Sequence, residues 1–214
     1  MVRLRRHVAA GRRAVVSAVI AVLCFCVASA AASAGELYIS VGARTRTPPI
    51  GWTQFCETYK GVCDTKPLPP LDAVLDAKAW KDLKQVNDWV NHNIKPMTDM
   101  DHYGMIQWWR YPDDGAGACH SYALLKRRLL IKAGWPRQAL LMTIVHEADG
   151  EGHAVLTVET DRGEFILDNL TDDILLWSKT PYRYYKRQSQ DDPNVWIWLD
   201  DMRADTPTSS IRTH

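Results

Sequence analysis

The sequence has almost no net charge, and after residue 31 it has no long hydrophobic run. Lys and Arg total 26 and Asp and Glu total 25, so the formal net charge is +1. Such a balance gives no electrostatic argument for binding nucleic acid or an anionic surface. Past residue 31 no segment is long and apolar enough to be a candidate membrane span. The absence of a C-x-x-C pair leaves little support for a thiol–disulfide oxidoreductase.

The N-terminus has the pattern of a secretory signal peptide. Five arginines precede the first acidic residue, Glu36, and residues 14–31 form an uncharged apolar run. The small residues Ala32-Ser33-Ala34 follow, as at a signal cleavage site. We expect cleavage near Ala34, a single mature domain of residues 35–214, and a periplasmic or secreted location. An uncleaved anchor is the alternative, because the run reaches the roughly 18 residues at which spanning becomes plausible.

Cleavage near Ala34 would reduce the five cysteines of the chain to three. Cys56 and Cys63 lie seven positions apart, around a Lys60-Gly61 step that can turn the chain. Neighbouring cysteines tend to pair in an oxidising compartment, so a Cys56–Cys63 disulfide is expected, with two free thiols as the alternative. Cys119 is then the odd cysteine, and in a secreted protein this marks a candidate reactive thiol.

Helical patterns occupy the middle of the chain. Residues 35–72 predict loop with short extended pieces. Apolar spacings of three and four predict helices over residues 74–94 and 119–133, and residues 97–118 between them predict a loop. In the second helix, the consecutive cations Lys126, Arg127 and Arg128 are predicted to face outward.

Strand patterns follow the second helix. Residues 139–145, 153–160 and 164–169 predict three strands, and short turns between them indicate an antiparallel meander. Residues 196–199 predict a further strand. The predicted fold class is α+β, with helices packed on an antiparallel sheet.

Three residues of these elements have the types that a cysteine hydrolase needs. Cys119 lies where a glycine-containing loop becomes a helix, and the positive end of the helix dipole lowers the pKa of a thiol there. His153 opens a strand, and Asp168 ends the next one after a hairpin turn. We expect this turn to bring His153 and Asp168 together as cross-strand neighbours. A thiol, a histidine and an orienting carboxylate form a nucleophilic triad.

Each of these residues also has an ordinary structural interpretation. Cys119 alone is typical of a buried thiol, His153 of an edge histidine, and Asp168 of a turn or cap residue. The combination is more informative, because the order is Cys, His, Asp on a helix, a strand and a strand. This layout occurs in papain-like and transglutaminase-like folds.

Several stretches across the mature domain carry a family resemblance. They are residues 111–130, 134–136, 150–158, 167–170 and 181–184, with Val86-Asn87 and Tyr103-Gly104 upstream. In these stretches the sequence resembles the bacterial transglutaminase-like cysteine proteinases. The resemblance implies a Cys-His-Asp triad, which falls on Cys119, His153 and Asp168.

The resemblance also implies partners. One branch of the family consists of periplasmic proteases that release large biofilm adhesins and need calcium beside the catalytic cysteine. The resemblance therefore implies a protein or peptide substrate. By analogy alone, it also implies a membrane receptor that sequesters and regulates the enzyme.

The sequence departs from the family around the cysteine. The usual motif is Asp-Cys-Glu-Asp-Tyr, whereas this chain has Ala118-Cys119-His120-Ser121-Tyr122. Calcium prefers several oxygen ligands, usually with carboxylates among them. Replacing three acids by Ala118, His120 and Ser121 predicts that the calcium site is lost, so we expect no cofactor and no metal. Losing nearby negative charge should also favour the thiolate of Cys119.

Some positions stay open. The Cys119 backbone N–H is the expected first oxyanion donor, and Gln107 or the Trp109 indole is a candidate for the second. His146 borders a strand and competes with His153, and His102 and His120 are further titratable groups.

The predicted function is a cysteine peptidase that makes limited cuts in an envelope or secreted protein. An amidase or a transglutaminase would share the same chemistry as far as the thioester, so the triad cannot separate them. A non-catalytic or differently regulated binding module on the same fold is the remaining alternative.

Overall fold

A computed structural model of the chain describes residues 37–45, 47–64 and 66–201. The predicted signal peptide, residues 1–34, lies outside these ranges. Among the described residues, no helix combines the length and the apolar character needed to cross a bilayer.

The described chain contains four α-helices and nine β-strands. The helices are α1 (Ile50–Thr58), α2 (Ala77–Asn93), α3 (Asp99–Tyr103) and α4 (Cys119–Lys132). The strands are β1 (Ser40–Thr45), β2 (Lys95–Pro96), β3 (Ala116–Gly117), β4 (Leu140–His146), β5 (Gly152–Thr160), β6 (Gly163–Leu167), β7 (Leu175–Leu176), β8 (Arg183–Gln188) and β9 (Trp196–Asp200).

Seven of the strands form one antiparallel sheet in the order β1-β9-β8-β4-β5-β6-β7. The meander predicted over β4, β5 and β6 is present, and the strand predicted near the C-terminus is β9. β2 and β3 form a separate parallel pair, which joins the end of α2 to the start of α4. Because β3 ends at Gly117, this pair fixes where the chain enters α4.

The helices cover the sheet. α4 packs on β5, and α2 packs on α4. Leu83 of α2, Leu124 and Leu130 of α4, and Leu156 of β5 belong to one buried cluster. The predicted α+β class is therefore confirmed, with helices layered on an antiparallel sheet.

The start of the domain contains a helix that the sequence pattern did not predict. The sequence predicts loop with short extended pieces over residues 35–72, but α1 lies within them and buries Trp52 and Phe55. The helix has only nine residues, and no side chain caps its first turn. The predicted disulfide is present, because Cys56 near the end of α1 bonds to Cys63. It ties the end of α1 to the turn that follows.

The prediction that the cations of α4 face outward is wrong for two of the three. Lys126 is fully buried, and its amino group donates to the Asp168 backbone oxygen at 2.8 Å. Arg127 is buried too, and its Nε donates to the Leu140 backbone oxygen at 2.9 Å. Only Arg128 is partly exposed, where it pairs with Asp113. α4 lies between α2 and the sheet, so it has little surface left for solvent.

Burial of Lys126 makes the stability of the domain depend on pH. Burial lowers the pKa of its amino group to about 7, although Asp168 and Asp172 oppose this. Above that pH the unfolded chain keeps a proton that the folded chain has lost, so the contribution of Lys126 to stability rises with pH. We predict that the free energy of unfolding of the wild type, relative to Lys126→Met, rises between pH 7 and pH 10 by at most about 1.4 kcal/mol per pH unit.

Urea unfolding of both proteins across this pH range would measure the difference. Lys84→Met, at an exposed position of α2, is the matched control and should give a difference that does not change with pH. A flat difference for Lys126→Met would show that its amino group keeps its proton in the folded protein.

Candidate active site

Cys119 is the first residue of α4 and is partly exposed. The first backbone N–H groups of a helix have no partners within the helix and point toward its N-terminus. Gly117 permits the tight entry, because a Cβ at this position would lie 2.6 Å from the Ser121 Cβ. Cys119 is the free cysteine of the described residues, as Cys56 and Cys63 are paired. The local sequence thus places a free thiol at the positive end of a helix.

His153 and Asp168 meet next to this thiol. The His153 Nε2 lies 2.8 Å from the Asp168 Oδ1, and both side chains are buried. Cys119 and His153 line the same cleft, and the imidazole lowers the pKa of the thiol. Nε2 is taken by Asp168, so Nδ1 is the ring nitrogen available to the thiol. The structure therefore brings together the three residues that the sequence proposed.

The geometry of the hairpin differs slightly from the expected cross-strand pair. β5 and β6 pair Leu156 with Leu167, so the continued register sets Asp168 beside Val155 rather than His153. His153 is thus the diagonal neighbour of Asp168, a separation that a histidine side chain can bridge. Asp168 lies one residue beyond β6, where the chain has left the strand.

Donors surround the Asp168 carboxylate. Besides His153, the Leu170 backbone N–H donates to Oδ1 at 3.1 Å and the Tyr182 hydroxyl donates to Oδ2. Burial raises the pKa of this carboxyl, but the hydrogen bonds from His153, Tyr182 and Leu170 outweigh it and lower the pKa. Asp168 is therefore ionised and can orient the imidazole. Tyr182 lies in a stretch that carries the family resemblance, but no role for it follows from the sequence pattern.

The thiol and His153 form an ion pair at neutral pH. Burial opposes ionisation of Cys119, yet hydrogen bonds from His120 and His153 lower its pKa to about 6. Burial would lower the pKa of His153, but its hydrogen bonds with Asp168 and Cys119 raise it to about 10. At pH 7 the site therefore holds a thiolate next to an imidazolium, which is the reactive form of a cysteine nucleophile.

A second histidine acts on the same thiol. The imidazole of His120, the residue after Cys119, also lowers the pKa of the thiol. Its Nε2 lies 3.3 Å from the Oδ1 of Asp99, and both side chains are buried. Sequence reasoning named His120 as a titratable group but missed this pair, because Asp99 lies 21 positions earlier, in a segment predicted to be loop.

An open cleft of about 900 Å³ runs past Cys119 and His153. The apolar side chains Met97, Met100 and Ile106 line one part of it, and the carboxylates of Glu147 and Glu151 line another. Met100 and Ile106 are exposed. The cleft therefore presents both apolar and acidic side chains near the thiol.

The other candidate histidines and the candidate oxyanion donors differ in where their side chains lie. His146 is directed to Tyr185 and the Gly150 backbone oxygen, and His102 bonds to Asp114 at 2.6 Å. Gln107 lines the cleft and has a positive φ of 53°, whereas Trp109 is buried against His120. Gln107 is thus better placed than Trp109 to reach a substrate oxygen.

The residues beside the cysteine provide few side-chain oxygens. Of Ala118, His120 and Ser121, only the serine offers a side-chain oxygen, and it is buried against Gly117. Asp99 already faces His120 and the Trp108 backbone N–H. Asp113 pairs with Arg128, and Asp114 pairs with His102. Within the described part of the chain, no group of three or more His, Cys, Asp or Glu residues is arranged to hold a metal ion.

One comparison with known proteins shows the family. The sequence profile of the bacterial transglutaminase-like cysteine proteinases matches residues 42–204. A search of curated proteins gave no match.

Similar solved structures include three of Legionella pneumophila LapG. One is 25% identical, with a TM-score of 0.47, and covers 56% of this chain and 68% of that one. The calcium-bound form is 24% identical, with a TM-score of 0.49 and coverage of 61% and 74%. The EGTA-treated form is 24% identical, with a TM-score of 0.48 and coverage of 57% and 67%.

The hydrogen bond from Tyr182 predicts a stability effect that depends on the charge of Asp168. We predict that Tyr182→Phe lowers the free energy of unfolding at pH 7 by on the order of 1.5–3 kcal/mol, as expected for a hydrogen bond to a charged group. The pKa of Asp168 is lowered on folding, so this advantage is present at neutral pH and is lost as the carboxyl protonates in acid. Urea unfolding of the wild type and the variant, at pH 7 and in acid, measures this difference in stability.

Tyr184→Phe provides the matched control. The Tyr184 hydroxyl bonds to Thr180 at 3.0 Å, so the partner it loses is neutral. Its effect on unfolding should be the same at neutral and acid pH. Equal pH dependence for the two variants would contradict an ionised Asp168 that Tyr182 stabilises.

Proposed function

Because the chain belongs to the bacterial transglutaminase-like cysteine proteinases, and is thus a cysteine peptidase, we propose that it cuts peptide bonds through Cys119, His153 and Asp168. The observation that carries this proposal is the position of His153. Its Nε2 lies 2.8 Å from the Oδ1 of the buried Asp168, and the residue lines the same cleft as Cys119. Each residue then has one role, as nucleophile, proton carrier and orienting group.

The proposed reaction follows from these positions. The Cys119 thiolate attacks the carbonyl carbon of a peptide bond, and the oxyanion that forms accepts hydrogen bonds from the Cys119 backbone N–H and from Gln107. The His153 imidazolium gives its proton to the leaving amine, which departs and leaves a thioester on Cys119. His153, now neutral, takes a proton from water as the water attacks the thioester. The acid product leaves, and the thiolate and imidazolium are restored.

The shape of the cleft supports a polypeptide substrate. An open cleft of about 900 Å³ admits an extended chain, and Met97, Met100 and Ile106 offer apolar contacts beside the nucleophile. We propose limited cleavage of an envelope or secreted protein, with the peptidase acting in the periplasm or outside the cell after removal of residues 1–34. The family resemblance is also the reason to propose a regulatory membrane receptor.

The alternatives share the site. An amidase or a transglutaminase would form the same thioester and differ only in the bond broken or the group that accepts the acyl chain. A binding module would use the cleft without turnover. The thiolate–imidazolium pair favours turnover over binding alone, because a module that only binds has no need for a low thiol pKa.

We predict that the protein generates new N-termini in a mixture of secreted proteins and proteome-derived peptides, and that Cys119→Ser generates none. His153→Ala should cut the same bonds with a rate lower by on the order of 10²- to 10⁴-fold, because proton transfer is lost. Mass spectrometry of the products, with and without hydroxylamine as an amine acceptor, is the measurement. His146→Ala, which alters a histidine that contacts Tyr185, is the control and should cut normally.

Two other outcomes would redirect the proposal. Incorporation of hydroxylamine without new N-termini from water would identify an acyl transferase. If protein that circular dichroism shows to be folded gives neither product, the binding module is the remaining function.

We further propose that the peptidase acts without calcium. Ala118, His120 and Ser121 stand where the family has three acids, and the nearby carboxylates have other partners. Calorimetric titration should therefore show no calcium uptake in the micromolar range, and EGTA should leave cleavage unchanged. Micromolar uptake together with inhibition by EGTA would contradict this.

A further inference from the structure

We propose that His120 is a second catalytic histidine, which holds a positive charge against the Cys119 thiolate while Asp99 keeps it in place. The inference rests on the proposed function for its place in catalysis, since it concerns the same nucleophile. It divides two tasks between two histidines: His153 moves the proton, and His120 stabilises the anion.

The first support is the carboxylate behind His120. Asp99 begins α3, and its Oδ1 lies 3.3 Å from the His120 Nε2. Its other oxygen, Oδ2, accepts the Trp108 backbone N–H at 2.7 Å, which fixes the orientation of the carboxylate. The relative exposures of the His120 and Asp99 side chains are 6% and 7%. A buried carboxylate with one oxygen directed at an imidazole favours the charged form of the ring.

The second support is the ring that covers His120. The Trp109 indole stacks on the imidazole, with the centroids 5.4 Å apart and the planes only 6° from parallel. An aromatic face attracts a cation, so this packing suits an imidazolium better than a neutral ring. Trp109 is in turn seated on Gly51, where an added Cβ would lie 2.2 Å from the indole Cδ1. The contact between Gly51 and Trp109 fixes the stacked geometry.

The two histidines differ in what they can reach. His153 lines the cleft next to Cys119, so it can pass a proton to the leaving group of a bound chain. His120 is buried between Asp99 and Trp109 and does not line the cleft. His120 can therefore act on the sulfur but not on the leaving group.

The charges around the sulfur are consistent with this division. The charged or titratable groups that act on His120 are Asp99 from α3 and Cys119 from α4, and His153 of β5 acts on the same sulfur. Burial would lower the pKa of His120, but Asp99 and Cys119 raise it to about 9. His120 hence keeps its charge over the range in which Cys119, with its pKa of about 6, becomes a thiolate.

Iodoacetamide alkylation of the full chain tests the inference, with the rate at Cys119 followed by peptide mass spectrometry between pH 4 and 10. In His120→Gln the cation is lost, so the midpoint for thiolate formation should rise by about 1–3 pH units. Asp99→Asn should raise it by less, and His120→Lys, which keeps a cation beside Asp99, should retain the low midpoint. For substrate cleavage, His120→Gln should lower kcat and leave KM unchanged, because His120 lies outside the cleft.

An unchanged midpoint in a folded His120→Gln protein would overturn the inference. So would a rise of equal size in His120→Gln and His120→Lys, because that would indicate a packing role alone. If His120→Gln does not fold, the midpoint measured for Asp99→Asn tests the inference instead, since the carboxamide keeps the shape of the side chain. Alkylation needs no substrate, so a wild type that cuts nothing would refute the proposed function and leave this inference to its own test. The alkylation midpoint of His153→Ala gives the corresponding effect of losing the other imidazole.

Discussion

The ionised carboxylate of Asp168 is buried where the helices α2 and α4 meet the sheet. An uncompensated carboxylate in this position would be strongly destabilising. The chain instead supplies donors to both oxygens, from His153, Tyr182 and the Leu170 backbone N–H. The backbone oxygen of the same residue accepts from Lys126 of α4 and Asn91 of α2. One position thus joins the helices to the sheet and also orients the imidazole.

The fold could be predicted where a short pattern determines the structure. α4 and the β4–β5–β6 meander have clear periodicity, so their positions were right to within one or two residues. The helix predicted from residue 74 begins at Ala77, because Asp76 caps it through the Ala79 backbone N–H and Val74 is exposed. Helix α1 was not predictable, because two turns without a capping side chain are stabilised by packing of Trp52 and Phe55 rather than by local sequence.

The candidate site shows the same limit. Cys119, His153 and Asp168 could be proposed because their order and their secondary structure suffice to place them. The roles of Lys126 and Tyr182 depend on contacts across 42 and 14 positions, and the contact of His120 depends on Asp99 in another segment. In most helices a run of three cations indicates a solvent-exposed face. Here α4 packs between α2 and the sheet, so Lys126 and Arg127 are buried. Sequence periodicity carries no information about such long-range partners.

The packing of Gly51, Trp109 and His120 has an evolutionary consequence. Gly51 lies on the helix that carries Cys56, and His120 is next to the nucleophile, yet the indole of Trp109 joins them in one stack. Any side chain at position 51 would displace the indole, and a displaced indole would uncover the imidazole. Selection on the surroundings of the nucleophile therefore also constrains position 51, which lies on a different helix.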